Sequence, residues 1–564
     1  MTAGFAAMCT LLVVLGGRLV QLQALDGPQY ENAALKPNAE ATVIPADRGR
    51  IVDRDGRVLA YSVASRLVFA DPKLARDHAE ATAAALAPLL AQPAATLEPK
   101  LRKAGTRYSV LARDVTPTNA ARIVALKLPG ISTEDTTQRL YPSNTGAAVL
   151  GFTGRDGTGL AGIELKYNDT LSGKPGEIVA EAGSAGEEIP GGERRETPAV
   201  PGSSVRLTLD EDLQYTAQQA LTNAVRQTHA LDGQAVVLDV RTGQVLAMAS
   251  AAVVDPHKPA MPDPRQYGNP AVQSVFEPGS ANKVVTFAAA LDRGVIKPDT
   301  RLTVPGSIQV ADRVIHDAWV HGPAKWTATG VLAQSSNVGT LMIAKQVGPS
   351  AFYDYLTRFG IGSRTGVQLP GESGGLLPKP ADWSGSTFGN LPIGQGVSMT
   401  ALQLASMYQA IGNDGVRVPP RIIAGVTGPD GRTSAPAAPQ PTRVVSQATS
   451  RTVRSMLETV TETGGTGTTA AIDGYGVAGK TGTAQKPDPK CGCYSDRYWA
   501  TFAGVVPAGA PRFAIAIMVD DAKGGLHGGA VAAPLFHMIA TYALGKAGIP
   551  PTGAGRPIAP LDWN

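Results

Sequence analysis

The sequence predicts a multidomain α+β protein, and three observations carry the prediction. Its 564 residues exceed what one ordinary domain holds. A stretch over 184–204, rich in Gly, Pro, Ser and Glu, marks a boundary between two regions. Beyond that boundary, strand patterns stand at both ends of a long segment and helical patterns fill its middle, as in an antiparallel sheet joined from both ends of a domain. A hydrophobic content of 43% is ample for the cores this requires. The charge is nearly balanced, with 51 Lys+Arg against 47 Asp+Glu, and no basic block stands out, which argues against nucleic acid as a partner.

In chain order, residues 3–17 are apolar, Arg18 interrupts, and Leu19, Val20, Leu22, Ala24 and Leu25 continue the run. A membrane span needs about 20 apolar residues, so this stretch suffices if Arg18 snorkels or faces protein. No Lys or Arg precedes the run and no small-x-small cleavage site follows, so an uncleaved single-pass anchor over 1–27 is expected rather than a removed signal. The basic flank usual for such an anchor is missing, and a start upstream of Met1 would supply it. Residues 26–46 read as a polar lead-in.

The first folded region, 28–204, opens with Ile51-Val52 and Val58-Leu59-Ala60 around Asp55-Gly56, a hairpin signal. Helical runs follow at Ala79–Ala91 and Thr118–Leu126. The second region, 205–547, begins with a strand at Val205–Asp210 and a helix over Asp212–Gln227. A hairpin then turns at Arg241-Thr242-Gly243. Helices are expected over Ala328–Gln334, Thr340–Val347, Ala351–Phe359, Ala401–Ile411 and Arg451–Glu462. Strands return at Gly476–Gly479, Trp499–Val506 and Phe513–Val519, and 548–564 is a tail. Cys491 and Cys493 flank one glycine. They suit either a tight local disulfide outside the cytoplasm or two free thiols, and the histidine spacing offers no zinc partner for them.

The chemistry centres on Phe276-Glu277-Pro278-Gly279-Ser280-Ala281-Asn282-Lys283. Pro-Gly breaks the backbone, and the apolar run after it predicts a helix starting at or near Ser280. Positions i and i+3 share a helix face, so Lys283 is expected beside the Ser280 hydroxyl. A serine hydroxyl needs an adjacent base, and a lysine becomes one when burial or cationic neighbours lower its pKa. Downstream stand Ser335-Ser336-Asn337 and Lys480-Thr481-Gly482-Thr483. Singly, each has a bland reading: a helix start, a helix cap, a strand ending in a turn.

The three elements in this order resemble the signature of penicillin-binding transpeptidases and serine β-lactamases. Asp47–Ala60, Arg139-Leu140-Tyr141-Pro142 and Gly159–Glu164 resemble the non-catalytic N-terminal pedestal of class B penicillin-binding proteins. Gly394–Ser398 and Ala532–Phe536 resemble later stretches of the transpeptidase domain. The resemblance runs from about residue 41 to 547. It implies a membrane anchor, a pedestal/dimerisation domain and a penicillin-binding/serine β-lactamase-like domain whose catalytic part lies outside the cytoplasm.

It also implies the roles. Ser280 attacks the carbonyl between two terminal D-alanines of a peptidoglycan stem peptide, and Lys283 takes its proton. Ser335 relays a proton to the leaving D-alanine, with Asn337 on the same wall. Lys480 keeps Lys283 neutral by repulsion and helps hold the substrate carboxylate together with Thr481 and Thr483. Gly482 lies between them, and the N–H groups of Ser280 and Thr483 form the oxyanion hole. β-Lactams would acylate the same serine. No cofactor or metal motif appears, and a membrane glycosyltransferase and division-complex proteins are the implied partners.

Rival readings stay open. A β-lactamase is normally a compact secreted domain, which the pedestal argues against. A penicillin sensor would acylate and stop. A D,D-carboxypeptidase differs only in its acceptor, which these motifs do not encode. Within class B, the resemblance is to the cell-division (septal) type more than to the side-wall type.

Overall fold

The computed structural model describes residues 2–22, 39–181, 189–251, 255–256, 267–488, 490–524, 527–552 and 560–563. The end of the expected anchor (23–27), most of the polar lead-in (26–38) and the start of the boundary stretch (184–188) lie outside the described residues. The chain forms two compact units, each drawn from separate stretches. One takes residues 1–49, 62–138 and 172–202, and the other takes 50–61, 139–171 and 203–564.

In the first unit, Thr2–Val20 is a 19-residue helix on which Phe5, Leu11, Leu12 and Val13 stand exposed, Val13 at 73%. The end of the expected lead-in is instead a strand, Ala39–Ile44, paired antiparallel with Gly176–Glu181. Its β-branched Thr42, Val43 and Ile44 suit the pairing that local polarity hides. A small core gathers Leu86, Leu97, Leu111 and Ile123 from the helices Ala79–Leu90, Ala94–Leu101 and Pro117–Ala125 and the strand Ser109–Val115.

The second unit is built on a five-stranded antiparallel sheet: β1 (Asp232–Asp239), β2 (Val245–Ser250), β3 (Ala478–Asp488), β4 (Cys493–Val506) and β5 (Phe513–Asp520). The spatial order is β2-β1-β5-β4-β3, so the two ends of the domain meet in one sheet and β3 is an edge. Strand alternation sends Ala235 and Val237 to one face and Val236 and Leu238 to the other, and both faces are dry. Two helices, α1 (Glu211–Thr228) and α7 (Gly528–Lys546), cover the first face. The other face packs against α2 (Lys283–Asp292), α5 (Ala401–Gly412) and α6 (Gln447–Glu458). Between these lie α3 (Ala328–Ala333) and α4 (Asn337–Val347). Helix α7 is long and apolar enough to span a membrane, but 56% of that window is buried against the sheet.

Several expectations shift. Helix α6 starts four residues before the expected span because Ser446 caps it, its hydroxyl accepting the Thr449 N–H, and it ends at Glu458, four residues before the expected end. The strand expected to end at Gly479 continues to Asp488, held by a ladder to β4 from Ala478↔Val505 to Asp488↔Cys493. The C-terminal residues Pro560–Trp563 return to strand Ala324–Thr327, where the Thr327 N–H donates to Leu561 O and the Trp563 N–H to Lys325 O.

Arg139 and Glu164, from two of the family-like motifs, form a buried ion pair at 2.8 Å with the Tyr141 hydroxyl donating to the same carboxylate. The Glu164 side chain is fully buried. Removing one partner of such a pair strands the other charge. Glu164→Ala is therefore expected to destabilise the second unit by about 3–5 kcal/mol in urea unfolding, and Glu164→Gln by less.

Candidate active site

The nucleophile motif does not begin as an α-helix. Gly279–Asn282 is a 3-10 turn, and the α-helix proper (α2) starts at Lys283. Gly279, at the head of the turn, has a φ of 55° in the left-handed region. A Cβ at Gly279 would lie 2.7 Å from Thr483 O, and one at Gly482 would lie 2.4 Å from Pro278 O. A Cβ at Gly394 would lie 2.0 Å from Gly279 O. The serine turn is thus seated backbone-to-backbone on β3 on one side and on the 391–396 loop on the other. The Thr501 hydroxyl donates to Pro278 O (3.1 Å), the Gly279 N–H to Gly394 O (3.1 Å) and the Tyr408 hydroxyl to Ala281 O (2.9 Å).

Lys283 is fully buried. Its ammonium donates to Ser335 O (2.5 Å), Ser335 Oγ (3.3 Å) and Asn337 Oδ1 (2.8 Å). Its hydrogen bonds all go to the second motif and none to Ser280, beside whose hydroxyl the i, i+3 spacing is expected to set it. Neither the N–H nor the hydroxyl of Ser280 has a partner among the described residues, which leaves both open to a reacting group.

The second motif divides its labour. Ser336 caps α4, its hydroxyl accepting the Gly339 N–H (2.9 Å), so the cap reading holds for that residue. Ser335 and Asn337 are left facing Lys283. Ser335 has φ of 60°, a strained position for a side chain with a Cβ, costing about 1–3 kcal/mol.

Behind this wall stands a residue the sequence did not reveal. Asp317 is 7% exposed, and its carboxylate accepts the Ser336 hydroxyl (2.7 Å), the Asn337 N–H, the Val338 N–H (3.0 Å) and the ring of His321 (3.0 Å). A carboxylate at the N-terminus of α4 also suits the helix dipole. No local pattern announces it, since apart from His321 its partners lie 19–21 residues ahead.

Lys480, Thr481, Gly482 and Thr483 lie within β3 rather than at its end. Lys480 is fully buried and donates to Thr481 O and Thr481 Oγ1, both at 3.2 Å. The Thr481 hydroxyl also pairs with that of Thr466 (2.7 Å), and Thr483 Oγ1 accepts the Gly528 N–H at the start of α7 (3.3 Å). The third motif therefore borders a helix N-terminus, where anions are favoured.

Burial lowers the Lys283 pKa from the ordinary 10.5 to about 7, and the nearby Asp317 charge opposes that shift. Burial also pushes Lys480 well down, with the Lys283 charge adding to the effect. Burial, one of the two causes expected to make a lysine a base, is what chiefly brings Lys283 toward neutrality, and the two buried amines disfavour each other's charge. The arrangement offers a free hydroxyl, a near-neutral amine, a second polar wall and an open backbone N–H in one cleft.

Cys491 and Cys493, left open by sequence, are joined as a disulfide.

Residues 43–207 match the model of the penicillin-binding protein dimerisation domain, and residues 233–541 match that of the penicillin-binding protein transpeptidase domain. The chain is 44% identical over 576 aligned residues to penicillin-binding protein PbpB of Mycobacterium tuberculosis, covering 97% of this chain and 85% of the relative. It is 36% identical to peptidoglycan D,D-transpeptidase FtsI of Escherichia coli K12, covering 97% and 92%. The crystal structure of penicillin-binding protein 3 from M. tuberculosis complexed with aztreonam is similar at a TM-score of 0.73 and 41% identity, covering 93% of this chain and all of that one.

Asp317→Asn removes the charge that gathers two N–H groups, a hydroxyl and a ring nitrogen. It is expected to lower stability by about 1–3 kcal/mol and to speed amide exchange at Asn337 and Val338. Chemical denaturation and hydrogen exchange on the same variant check both.

Proposed function

The chain belongs to the class B penicillin-binding proteins, and from that membership we propose that Ser280 is the residue acylated in its reaction. The activity is serine-type peptidoglycan D,D-transpeptidation in cell-wall synthesis, of the cell-division type, with β-lactams as acylating inhibitors. The observation that supports the assignment of Ser280 is the seating of its turn on β3 beside a buried, near-neutral Lys283.

Neutral Lys283, acting directly or through Ser335 Oγ, takes the Ser280 proton as Oγ bonds to the carbonyl carbon of the penultimate D-alanine. The oxyanion that develops is held by the open N–H of Ser280 and by that of Thr483, where each donor is worth about 2.7–4 kcal/mol. Ser335 passes a proton to the departing D-alanine nitrogen as the C–N bond breaks, and Asn337 fixes the amine of Lys283 in place. Lys480, Thr481 and Thr483, with the backbone of Gly482, hold the terminal carboxylate near the start of α7. An amine from a neighbouring stem peptide then attacks the acyl carbon, releasing Ser280 and forming the cross-link.

The apolar helix at Thr2–Val20 is read as a single-pass anchor in the cell membrane, with the catalytic unit outside the cytoplasm. A disulfide at Cys491–Cys493 accords with an oxidising compartment. A membrane glycosyltransferase that supplies glycan strands and proteins of the division complex are the expected partners.

Intact mass of the full chain after exposure to a penicillin tests the nucleophile. One stable adduct is expected, absent from Ser280→Ala. Equal labelling of that variant would overturn the assignment, and rapid loss of the adduct with consumption of the drug would favour a β-lactamase.

The base has its own signature. Lys283 must be neutral to accept a proton, so the acylation rate should rise with pH along a limb centred at about 7, rather than near the 10.5 of an ordinary lysine. Stopped-flow acylation by a fluorescent penicillin across that range checks the sign and the midpoint.

A further inference from the structure

Strands β3 and β4 outrun the sheet that supports them. The last pairing of β4 with β5 is Trp499↔Asp520, whereas the β3–β4 ladder continues to Asp488↔Cys493. Beyond Trp499 the two strands stand as an unsupported ribbon, interrupted by an irregularity between Gln485 and Pro487. A two-stranded ribbon alone is marginally stable, so something else must hold it. At its base, Lys486 pairs with Asp520 and lies over the Trp499 ring (5.3 Å to the centroid). At its tip, Cys491 and Cys493 are bridged. Immediately after the bridge, the Tyr494 hydroxyl donates to both oxygens of Glu277, at 3.1 and 3.2 Å.

Glu277 stands three residues before Ser280 and is only 5% exposed. Its Oε1 also accepts the Gly396 N–H at 3.0 Å, from the loop whose Gly394 carbonyl receives the Gly279 N–H. No cation pairs with it among the described residues; its hydrogen-bond donors are a phenol and a backbone amide. Burial pushes its carboxyl up, and these two donors pull it down. Hydrogen bonds to a buried carboxylate are among the stronger neutral-donor contacts. One carboxylate therefore joins the ribbon tip, the 394–396 loop and the strand that enters the nucleophile turn.

We propose that Glu277 and Tyr494 are positioning residues for acylation: their contact makes the free end of the β3–β4 ribbon, which is one edge of the cleft, move together with the turn that carries Ser280. The inference rests on Ser280 being the acylated residue. Neither side chain touches a reacting atom, and their effect passes through the placement of β3 against the Ser280 turn. Losing the contact leaves the cleft folded but lets its two sides drift, so the chemical step slows while the encounter with the ligand does not.

The test is stopped-flow acylation of the full chain by a fluorescent penicillin, resolved into the affinity of the non-covalent complex and the rate constant of acylation, with melting temperature measured alongside. Tyr494→Phe removes one hydroxyl and is expected to lower the acylation rate constant roughly tenfold, with affinity and melting temperature unchanged. Glu277→Ala is expected to lower it at least as much, and Glu277→Gln, which still accepts from both donors, to recover most of the rate. Adding Tyr494→Phe to Glu277→Ala should cost nothing further, since the contact is already gone. Wild-type acylation by Tyr494→Phe would overturn the proposal, as would losses that multiply in the double variant or that track melting temperature. Should Glu277→Ala fail to fold, Tyr494→Phe against wild type decides alone. No acylation of the wild-type chain would overturn the reading of Ser280 itself, which separates that failure from failure of the contact.

Discussion

Two lysine ammonium groups lie buried in one cleft, and neither forms a salt bridge with a carboxylate among the described residues. Lys283 is met by a carbonyl, a hydroxyl and an amide oxygen, and Lys480 by a carbonyl and a hydroxyl. Taking an ammonium out of water without a counter-ion costs several kcal/mol, and the cheaper outcome is loss of the proton. A neutral amine has the lone pair that a serine hydroxyl needs. The same burial that would be a defect in a structural lysine thus suits Lys283 to the role of base proposed for it, and the Asp317 carboxylate stands close enough to oppose the shift. Its lone pairs are taken up by the start of α4, Ser336 and His321, so it shapes the wall and does not pair with Lys283.

The second constraint is distance between backbones. The Ser280 turn lies more than a hundred residues from both β3 and the 391–396 loop in the chain, yet all three meet at spacings that exclude a Cβ. Gly279, Gly394 and Gly482 each sit where another residue's carbonyl would collide with a side chain. Glycine here does two jobs: it reaches the left-handed region at Gly279 and it lets chain lie on chain at Gly482. The open N–H of Ser280 follows from that seating. On either side of it in the turn, the Gly279 N–H donates to Gly394 O and the Ala281 N–H to Pro278 O, so Ser280 alone of the three keeps its donor free among the described residues.

Much of the fold was legible because its signals are local. Asp55-Gly56 and Arg241-Thr242-Gly243 form the hairpins that their turn residues specify, and the apolar run after Ser280 is helical. The shifted boundaries have tertiary causes. Gly482 suggests a break in β3, but pairing with β4 overrides that weak preference. Helix α7 has the length and composition of a membrane span, and only the sheet beneath it makes it a core helix. Asp317 was invisible because a lone Asp carries no pattern until the loop bearing it packs behind α4.

The candidate reacting groups were named by the sequence alone. Ser280 and Lys283 are three residues apart by covalent connection, and the order of the three motifs is a property of the chain. Their state was decided by tertiary structure alone. Spacing cannot report that Lys283 reaches Ser335 and Asn337 instead of Ser280, nor that desolvation, more than Lys480, lowers its pKa. Direction and desolvation depend on atoms contributed by distant segments, and those atoms surround the lysine only once the sheet and helices have closed around it.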